Sequence, residues 1–488
     1  MNRRALLKNL GFGLSASLVL PPLLSACQNE DPAPKTAYDG TVAIVGAGAA
    51  GLYAADILKA KGIKVVIFEA SDRVGGRVRS LKSSDRPSQS LIFTSQTQLG
   101  NDFPIELGAG FVKGADSAWG KFVQQLKLST LNITTSATDD YILDGSFIAG
   151  ADIATDSDFI AAKNFYDGLA SQSGTGTVQD AIENAGISSR MYAILNAWIG
   201  NGYATSNDRI GMKQLAESLS MQARTKELIT LTDNPMQDAL LSRFSKVVED
   251  VRMNHQVKSI DYSGVTVALE GVNSVTGETF SMDAEKAIVT VPISILKAGD
   301  IAFKPALSAG KNTALSTMEM DASIRVLLDF KANFWGESSG FLYGSPEAPE
   351  YFNAGVGRSD VSRTLAVTLS GAKASAYSAL GRNMVPLLVN ELDSIFAGKA
   401  TNHIRYDPAD NMVAVIQDWT LDPFIKGGGS YSKPGGTNQH RKDLAASLAS
   451  KLFFAGEATD YTGEFGTING ALLSAQRAAA EVSEVIGV

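Results

Sequence analysis

The feature that most constrains the fold is a glycine-rich turn between a short apolar strand and a helix. The strand is predicted over residues 41–45, and it is followed directly by Gly46-Ala47-Gly48-Ala49-Ala50-Gly51. Helical spacing continues to residue 62, and a second apolar strand over 64–68 ends at Glu69. Strand, turn, helix and second strand in this order are typical of the unit that binds a dinucleotide.

Each position of the turn has a predicted role in that unit. Gly46 permits the tight turn, Gly48 lets backbone approach a pyrophosphate, and Gly51 lets the helix pack close to the sheet. Ala49 and Ala50 open the helix, whose N-terminal amides hold the anion. The turn is therefore the first candidate cofactor site.

Length, composition and charge limit the classes of protein that this chain can belong to. At 488 residues it exceeds the size at which one hydrophobic core keeps growing, so two domains are expected. The formal net charge of −8 gives no basic face, so no nucleic-acid partner is predicted. His255, His403 and His440 stand in unrelated contexts, and no metal site is predicted.

The residues around the end of the second strand separate one dinucleotide from another. Glu69 is placed to bind ribose hydroxyls, which disfavours the 2′-phosphate of NADP. It is followed by Ala70-Ser71-Asp72-Arg73-Val74-Gly75-Gly76-Arg77-Val78, a run that resembles the extended flavin fingerprint of the amine oxidase superfamily. The resemblance implies an FAD cofactor beside Ala70 and Gly76, with Arg77 on its pyrophosphate.

A second stretch that resembles this superfamily lies near the other end of the chain. A strand predicted over 452–455 ends in Gly456-Glu457, and a helix begins near Gly466-Thr467-Ile468. The resemblance implies that Glu457 binds the ribityl hydroxyls and that the helix N-terminus, with Thr467 and Ile468, faces the flavin N1 and C2 carbonyl. Reduction leaves negative charge near N1, and a helix N-terminus stabilises such charge.

Further passages that resemble the superfamily add candidate contacts. The stretch Gly108-Ala109-Gly110-Phe111 resembles one that runs along the flavin, and Val257 stands where backbone meets the adenine. Trp419, a further candidate cofactor contact, begins the passage that resembles one wall of the superfamily's aromatic cage. The L-amino acid oxidases carry an arginine near the position of Phe111, where it grips a carboxylate. Lys113 could replace that arginine, but a solvated loop lysine is the favoured interpretation, so the sequence favours amines over amino acids.

The predicted substrate contacts include an aromatic wall and an open side. Tyr431 stands at the place of one wall of the superfamily's aromatic cage, and an ordinary strand tyrosine is the alternative. Thr467 aligns with the second wall, which leaves the cage open there. Ser430 stands where the monoamine oxidases of animals bond the flavin through a cysteine, so FAD is predicted to bind without a covalent bond.

Arg325 departs from the superfamily at a position predicted to be catalytic. The superfamily usually has a lysine here, bonded through water to flavin N5 and implicated in the reaction with oxygen. Because arginine does not deprotonate in proteins and has a different reach, rapid reaction with oxygen is not assured. An outward-facing strand arginine is the alternative, and no general base is assigned.

The first forty residues are predicted to form a signal peptide followed by a flexible tether. Residues 1–27 resemble a twin-arginine signal that ends in a lipobox. Cys27, the single cysteine of the sequence, is the predicted lipidation site, and residues 28–40 form a flexible tether. A simple anchor helix is the alternative. We therefore expect a protein anchored by lipid to a membrane of a bacterial cell envelope, on the periplasmic side or in the outer membrane.

The expected fold is α/β, with a Rossmann-like FAD-binding domain interleaved with a helical and mixed-sheet substrate domain. The FAD-binding domain is predicted over residues 41–115, 240–300 and 440–488. The substrate domain is predicted over 116–239 and 301–439, and the flavin lies between the two.

The expected reaction is oxidation of a small amine by hydride transfer to flavin N5, which gives an imine that water hydrolyses to a carbonyl compound. Oxygen, reduced to hydrogen peroxide, or a membrane or periplasmic acceptor takes the electrons. The alternatives are a dehydrogenase for amines or amino acids and, more distantly, a flavin-binding lipoprotein without turnover. The sequence does not indicate the oligomeric state.

Overall fold

The computed structural model describes residues 38–100, 104–222, 227–357 and 363–488. Its strands, in chain order, are β1 (Thr41–Val45), β2 (Lys64–Phe68), β3 (Leu91–Phe93), β4 (Val112–Lys113), β5 (Thr130–Asn132), β6 (Thr138–Leu143), β7 (Ser146–Ile148), β8 (Leu228–Leu231), β9 (Val251–Arg252), β10 (His255–Asp261), β11 (Val267–Asn273), β12 (Thr279–Ala284), β13 (Lys286–Val289), β14 (Ala302–Lys304), β15 (Met318–Met320), β16 (Ser323–Asp329), β17 (Ser339–Tyr343), β18 (Glu350–Asn353), β19 (Thr364–Ser370), β20 (Ala414–Asp418), β21 (Ser430–Ser432) and β22 (Leu452–Phe454). Its α-helices are α1 (Ala49–Ala60), α2 (Ala118–Gln125), α3 (Ile133–Ser136), α4 (Gly150–Ile153), α5 (Ser157–Asp167), α6 (Val178–Asn184), α7 (Tyr192–Trp198), α8 (Met212–Met221), α9 (Met236–Arg243), α10 (Ser245–Val248), α11 (Ile293–Ala298), α12 (Ala309–Thr317), α13 (Gly371–Ser378), α14 (Met384–Ile395), α15 (Lys399–His403), α16 (Asn438–Ala445) and α17 (Ile468–Ile486).

A parallel sheet in the order β22-β13-β1-β2-β9 carries the glycine-rich turn. Its strands are apolar because both faces are covered: α1 and α17 pack on one face, and the sheet β12-β11-β10-β14 packs on the other. All five strands fall within the predicted segments 41–115, 240–300 and 440–488. The domain limits themselves stay a prediction.

A mixed sheet of eight strands, in the order β3-β20-β16-β19-β18-β17-β6-β7, is the largest sheet of the described residues. Its internal strand β16 is buried along its whole length. β3 lies in the predicted FAD-binding segment 41–115 but pairs with β20 of this sheet, where Phe93 lies opposite Val415. Such a pairing between distant strands leaves no local sequence signal.

One row of directly paired residues crosses five strands of the mixed sheet. Arg325 pairs with Gln417 on one side and with Thr368 on the other. Thr368 pairs in turn with Glu350, and Glu350 pairs with Tyr343. Because directly paired residues share a face of a sheet, this row places polar side chains side by side.

The predicted α/β fold class, with a Rossmann-like unit beside a mixed sheet, is confirmed by this architecture. Among the described helices, none combines the length and the apolar character that crossing a membrane requires. The predicted signal over residues 1–27, the lipidation site Cys27 and the tether up to residue 37 lie outside the described residues.

Candidate functional site

A large cavity brings the two ends of the sequence together. Its volume is about 370 Å³, which is in the range of ligand sites. Both the glycine-rich turn and the N-terminus of α17 contribute to its walls. Most of the residues proposed from sequence line it: Gly46, Gly48, Ala49, Ala50, Glu69, Ala70, Gly76, Arg77, Gly108, Ala109, Val257, Arg325, Trp419, Gly456, Glu457, Thr467 and Ile468.

The glycines of the first turn play two different structural parts. Gly46 has φ +108°, a conformation that side chains rarely adopt. A Cβ on Gly51 would lie 1.9 Å from the Gly46 carbonyl oxygen, so Gly51 packs α1 against the turn and does not line the cavity. A Cβ on Gly48 would meet no heavy atom within 4 Å. Bare backbone therefore faces the cavity at Gly48.

Glu69 is held in a fixed position on the cavity wall. One carboxylate oxygen accepts a hydrogen bond from the Ala47 amide at 2.7 Å. The other accepts from the amide and the hydroxyl of Ser71 at 3.0 and 2.8 Å. The acid at the end of β2 thus ties the turn to the second strand beside the cavity.

Two predicted flavin passages run side by side. The Ala109 amide donates to the Arg77 carbonyl oxygen at 3.1 Å. A Cβ on Gly108 would lie 2.0 Å from that oxygen and 3.0 Å from the Trp419 ring. Trp419 donates its indole N–H to the Leu107 carbonyl at 3.0 Å. Gly108 is therefore required by the close approach of three chain segments.

Glu457 is a buried carboxylate that the protein keeps charged. Arg77 donates to one oxygen at 2.8 Å, and the Ser430 hydroxyl and the Gly466 amide donate to the other at 2.6 and 2.8 Å. Burial alone would raise the pKa of Glu457, but Arg77, Ser430 and Arg441 outweigh it and hold the pKa below the ordinary value. In the described chain Arg77 thus binds Glu457, and its contact with a pyrophosphate stays a prediction.

Arg441 supports this carboxylate from behind and was not identified from sequence. It is fully buried and donates to the Ser430 hydroxyl at 3.0 Å and to the Ala458 carbonyl at 3.1 Å. Its guanidinium carbon lies 3.9 Å from the centre of the Phe465 ring. Burial lowers the pKa of Arg441 to about 10, so the side chain keeps its charge near neutral pH.

The N-terminus of α17 opens into the cavity. Thr467 caps the helix, because its hydroxyl accepts from the Gly470 amide at 3.0 Å and donates to the Glu464 carbonyl at 2.6 Å. The positive end of a helix of 19 residues therefore faces the cavity beside Gly466.

Tyr431, proposed as an aromatic wall, does not face the cavity, and another aromatic pair does. Tyr431 is fully buried, does not line the cavity, and accepts a hydrogen bond from Arg209 at 3.1 Å. Successive residues of a strand point to opposite faces, and Ser430 already points to Glu457, so Tyr431 points away. Tyr203 and Phe465 line the cavity instead, with ring centres 5.3 Å apart and planes at 28°.

Phe111 and Gly110, both proposed as cofactor contacts, do not line the cavity either. Phe111 packs edge-on against Phe352, with ring centres 5.0 Å apart, in an aromatic cluster of the mixed sheet. A Cβ on Gly110 would lie 3.2 Å from the Cβ of Glu106. Neither Gly110 nor Phe111 faces the cavity, because both residues pack against neighbouring side chains.

Besides Arg77, two cations face the cavity. Arg325 is 9% exposed and donates to the Thr368 hydroxyl, and burial lowers its pKa. Lys113 was interpreted as a solvated loop residue, but its side chain lies on the cavity wall with the ammonium 5.9 Å from the centre of the Tyr203 ring. Lys113 is exposed, yet the protein around its ammonium partly desolvates it and lowers its pKa.

The residues of the cavity fit FAD. Bare backbone at Gly48 and the N-termini of α1 and α17 suit the anionic parts of a dinucleotide. Glu69 at the end of β2 suits a ribose. Among the described residues, no group of three or more His, Cys, Asp or Glu side chains is arranged to hold a metal ion.

Comparison with known proteins places these features in a family context. The family described as flavin containing amine oxidoreductase matches residues 49–147 and 195–483. Lysine-specific histone demethylase 2 of Homo sapiens is 25% identical over 502 residues, which cover 97% of this chain and 57% of that protein. Polyamine oxidase 1 of Zea mays is 24% identical over 520 residues, which cover 95% of this chain and 94% of that protein. The chain therefore spans about half the length of the demethylase.

Solved structures share the fold. Cyclohexylamine oxidase from Brevibacterium oxydans matches with a TM-score of 0.73 at 20% identity, over 92% of this chain and 100% of that one. A putrescine oxidase bound to putrescine matches with a TM-score of 0.72 at 19% identity, over 91% of this chain and 99% of that one. The expectation of an amine oxidase-like fold is thereby confirmed.

Proposed function

Because the chain belongs to the family of flavin-containing amine oxidoreductases, we propose that it oxidises a small amine at FAD bound in the cavity between the glycine-rich turn and α17. The enzyme class and the FAD cofactor follow from family membership. The observation that carries the proposal is that Gly48 and Glu457, which are far apart in sequence, line one cavity together with the stacked pair Tyr203 and Phe465.

The protein is proposed to bind FAD through charged and polar groups placed around the cavity. When bound, FAD supplies the two-electron acceptor for the C–H bond beside the substrate nitrogen, so the product is an imine that water hydrolyses to a carbonyl compound. Amides at the N-terminus of α17 stabilise negative charge next to them. The described residues that line the cavity include no cysteine, in keeping with non-covalent binding.

The aromatic pair prepares the substrate. A free alkylammonium has a pKa of about 10, similar to that of lysine, and only the neutral amine has a free electron pair. The apolar faces of Tyr203 and Phe465 exclude water from the amine and so favour its neutral form. Their electron-rich faces also attract the ammonium as it enters. Thr467, whose hydroxyl is engaged as a helix cap, adds no aromatic ring to the wall of the cavity.

Oxygen is the acceptor that we propose, with hydrogen peroxide as the product. The second candidate is a dehydrogenase that uses a membrane or periplasmic acceptor. Arg325 favours it, because this side chain keeps its proton and is fixed by its hydrogen bond to Thr368.

We also propose that residues 1–27 export the protein and that Cys27 carries lipid. The support is the sequence pattern alone. Incorporation of labelled palmitate into the wild type, and its loss in Cys27→Ser, is the expected result. Equal labelling of the two chains would refute the proposal.

The reaction is tested with the purified yellow protein under anaerobic conditions. Primary, secondary and polyamines are added one at a time, and we expect at least one to bleach the flavin absorbance. Air is then admitted. Recovery of the colour with release of peroxide supports an oxidase, whereas recovery only with an artificial acceptor supports the dehydrogenase. Absence of bleaching by every amine would overturn the proposed function.

A further inference from the structure

Two cationic side chains face the cavity without a carboxylate partner. Among the described residues, no carboxylate oxygen lies within 4.0 Å of the nitrogen atoms of Arg325 or Lys113. Arg325 donates a hydrogen bond to the Thr368 hydroxyl, while its Nε is buried and has no hydrogen-bond partner. A buried cation is costly when it is not paired, so Arg325 points to a missing anion. Lys113 is exposed and lines the same cavity, so it supplies a second positive charge that a ligand can reach.

The carboxylates near these cations are already engaged. Glu350 accepts a hydrogen bond from Thr368, its neighbour in the row across the mixed sheet. Glu464 lies 3.5 Å from the amide nitrogen of the Asn469 side chain. Glu106 accepts from the Met236 amide at 2.8 Å and from Ser80. These acids act on the two cations only from a distance and leave them free to bind something else.

The position of Lys113 relates it to the reacting part of the cavity. Its carbonyl oxygen accepts a hydrogen bond from Asn469, in the first turn of α17, at 3.3 Å. Its ammonium lies near Tyr203, one of the two rings that would hold the amine. A single small molecule can therefore place its nitrogen at the aromatic pair and an anionic group at Lys113.

We infer that Lys113, with Arg325 as the second cation, binds an anionic group of the substrate, so that the substrate is an amine that also carries a carboxylate. This inference rests on the proposed function and narrows it. It replaces the preference for amines over amino acids that the sequence suggested, because Lys113 belongs to β4 and lines the cavity.

The test uses pairs of amines that differ only in a carboxylate, such as phenethylamine with phenylalanine and cadaverine with lysine. Anaerobic bleaching of the holoenzyme gives the rate and the half-saturating concentration for each member. We expect the carboxylated member to be preferred by about tenfold to a hundredfold, the range of a charge-assisted contact. Lys113→Met should abolish the preference, and Lys113→Arg should retain most of it.

A binding measurement without turnover accompanies the kinetics. Benzoate, which carries the anion but no amine, should perturb the flavin absorption spectrum of the wild type and not that of Lys113→Met. Lys121→Met is the matched control, because Lys121 lies on the exposed side of α2. This control should behave as the wild type in both measurements.

The outcomes separate this inference from the proposed function. If no amine of either kind bleaches the flavin, the proposed function fails. If the amines without a carboxylate are preferred by the wild type, or if Lys113→Met keeps the preference for the carboxylated members, the inference fails while the function stands. A wild-type preference for diamines would point to cation binding at Glu350 and would also overturn it. The wild-type comparison decides the matter even if Lys113→Met does not fold.

Discussion

The same substitution at two glycines of the first turn should have two different effects. In Gly51→Ala the new Cβ would lie 1.9 Å from the Gly46 carbonyl oxygen and 3.1 Å from the Thr290 hydroxyl, so α1 must shift away from β1. Overpacking of this kind costs about 1–3 kcal/mol, although alanine is the better helix former. We expect the apoprotein to lose about that much unfolding free energy.

Gly48→Ala places its Cβ where no heavy atom of the described protein lies within 4 Å. The apoprotein should therefore keep its stability. The methyl group would stand between the backbone amides and the pyrophosphate, and loss of a charge-assisted contact worth about 1.5–3 kcal/mol raises the Kd for FAD about 10- to 150-fold.

The assay compares urea denaturation of the three apoproteins with titration of each by FAD, followed by flavin fluorescence. Gly51→Ala is expected to lower both stability and affinity, and Gly48→Ala to lower affinity alone. Normal FAD affinity in Gly48→Ala, or a loss of apoprotein stability equal to that of Gly51→Ala, would refute the assignment of the turn to the cofactor.

Three further predictions follow from the cavity and from one buried lysine. Tyr203→Ala should raise the KM for the amine by about tenfold. Tyr431→Phe should leave KM unchanged and lower the unfolding free energy by about 1 kcal/mol, because the hydrogen bond to Arg209 is lost. Equal effects of the two substitutions on KM would contradict the placement of the amine at Tyr203 and Phe465. Arg325→Lys should speed the recovery of flavin absorbance on aeration in stopped-flow measurements, and an unchanged rate would show that this position does not limit the reaction with oxygen. Lys311 is fully buried, and burial lowers its pKa from 10.5 to about 7. Between these pH values the unfolded chain therefore binds more protons than the folded protein, and the free energy of unfolding should rise with pH by at most about 1.4 kcal/mol per pH unit. Denaturation curves of Lys311→Met, measured across this pH range, should lack this rise.

The strand–helix–strand unit could be predicted because its signals are local. β1 ends at Val45 and β2 at Phe68, as their apolar runs indicate, and α1 begins at Ala49 within the glycine-rich turn. α17 begins at Ile468, beside the predicted second anchor. Periodicity and turn residues decide such elements without reference to the rest of the chain.

The substrate side of the cavity could not be predicted in the same way, because distant strand pairing orients its side chains. β21, which contains Tyr431, pairs with β15, and β4, which ends at Lys113, pairs with β8. These pairings decide which face of each short strand meets the cavity. Phe465 had a usable signal, since it stands directly before the Gly466-Thr467 start of the second anchor. Arg441 had none, because its partners meet it only in the folded chain.

The central claim is that the glycine-rich turn and the Gly456-Glu457 segment hold one FAD molecule without a covalent bond. The most direct measurement is the visible spectrum of the purified, FAD-supplemented protein, followed by heat denaturation and filtration. We predict a yellow protein that releases one FAD per chain into the filtrate. A colourless folded protein, or flavin that stays with the denatured chain, would contradict the account.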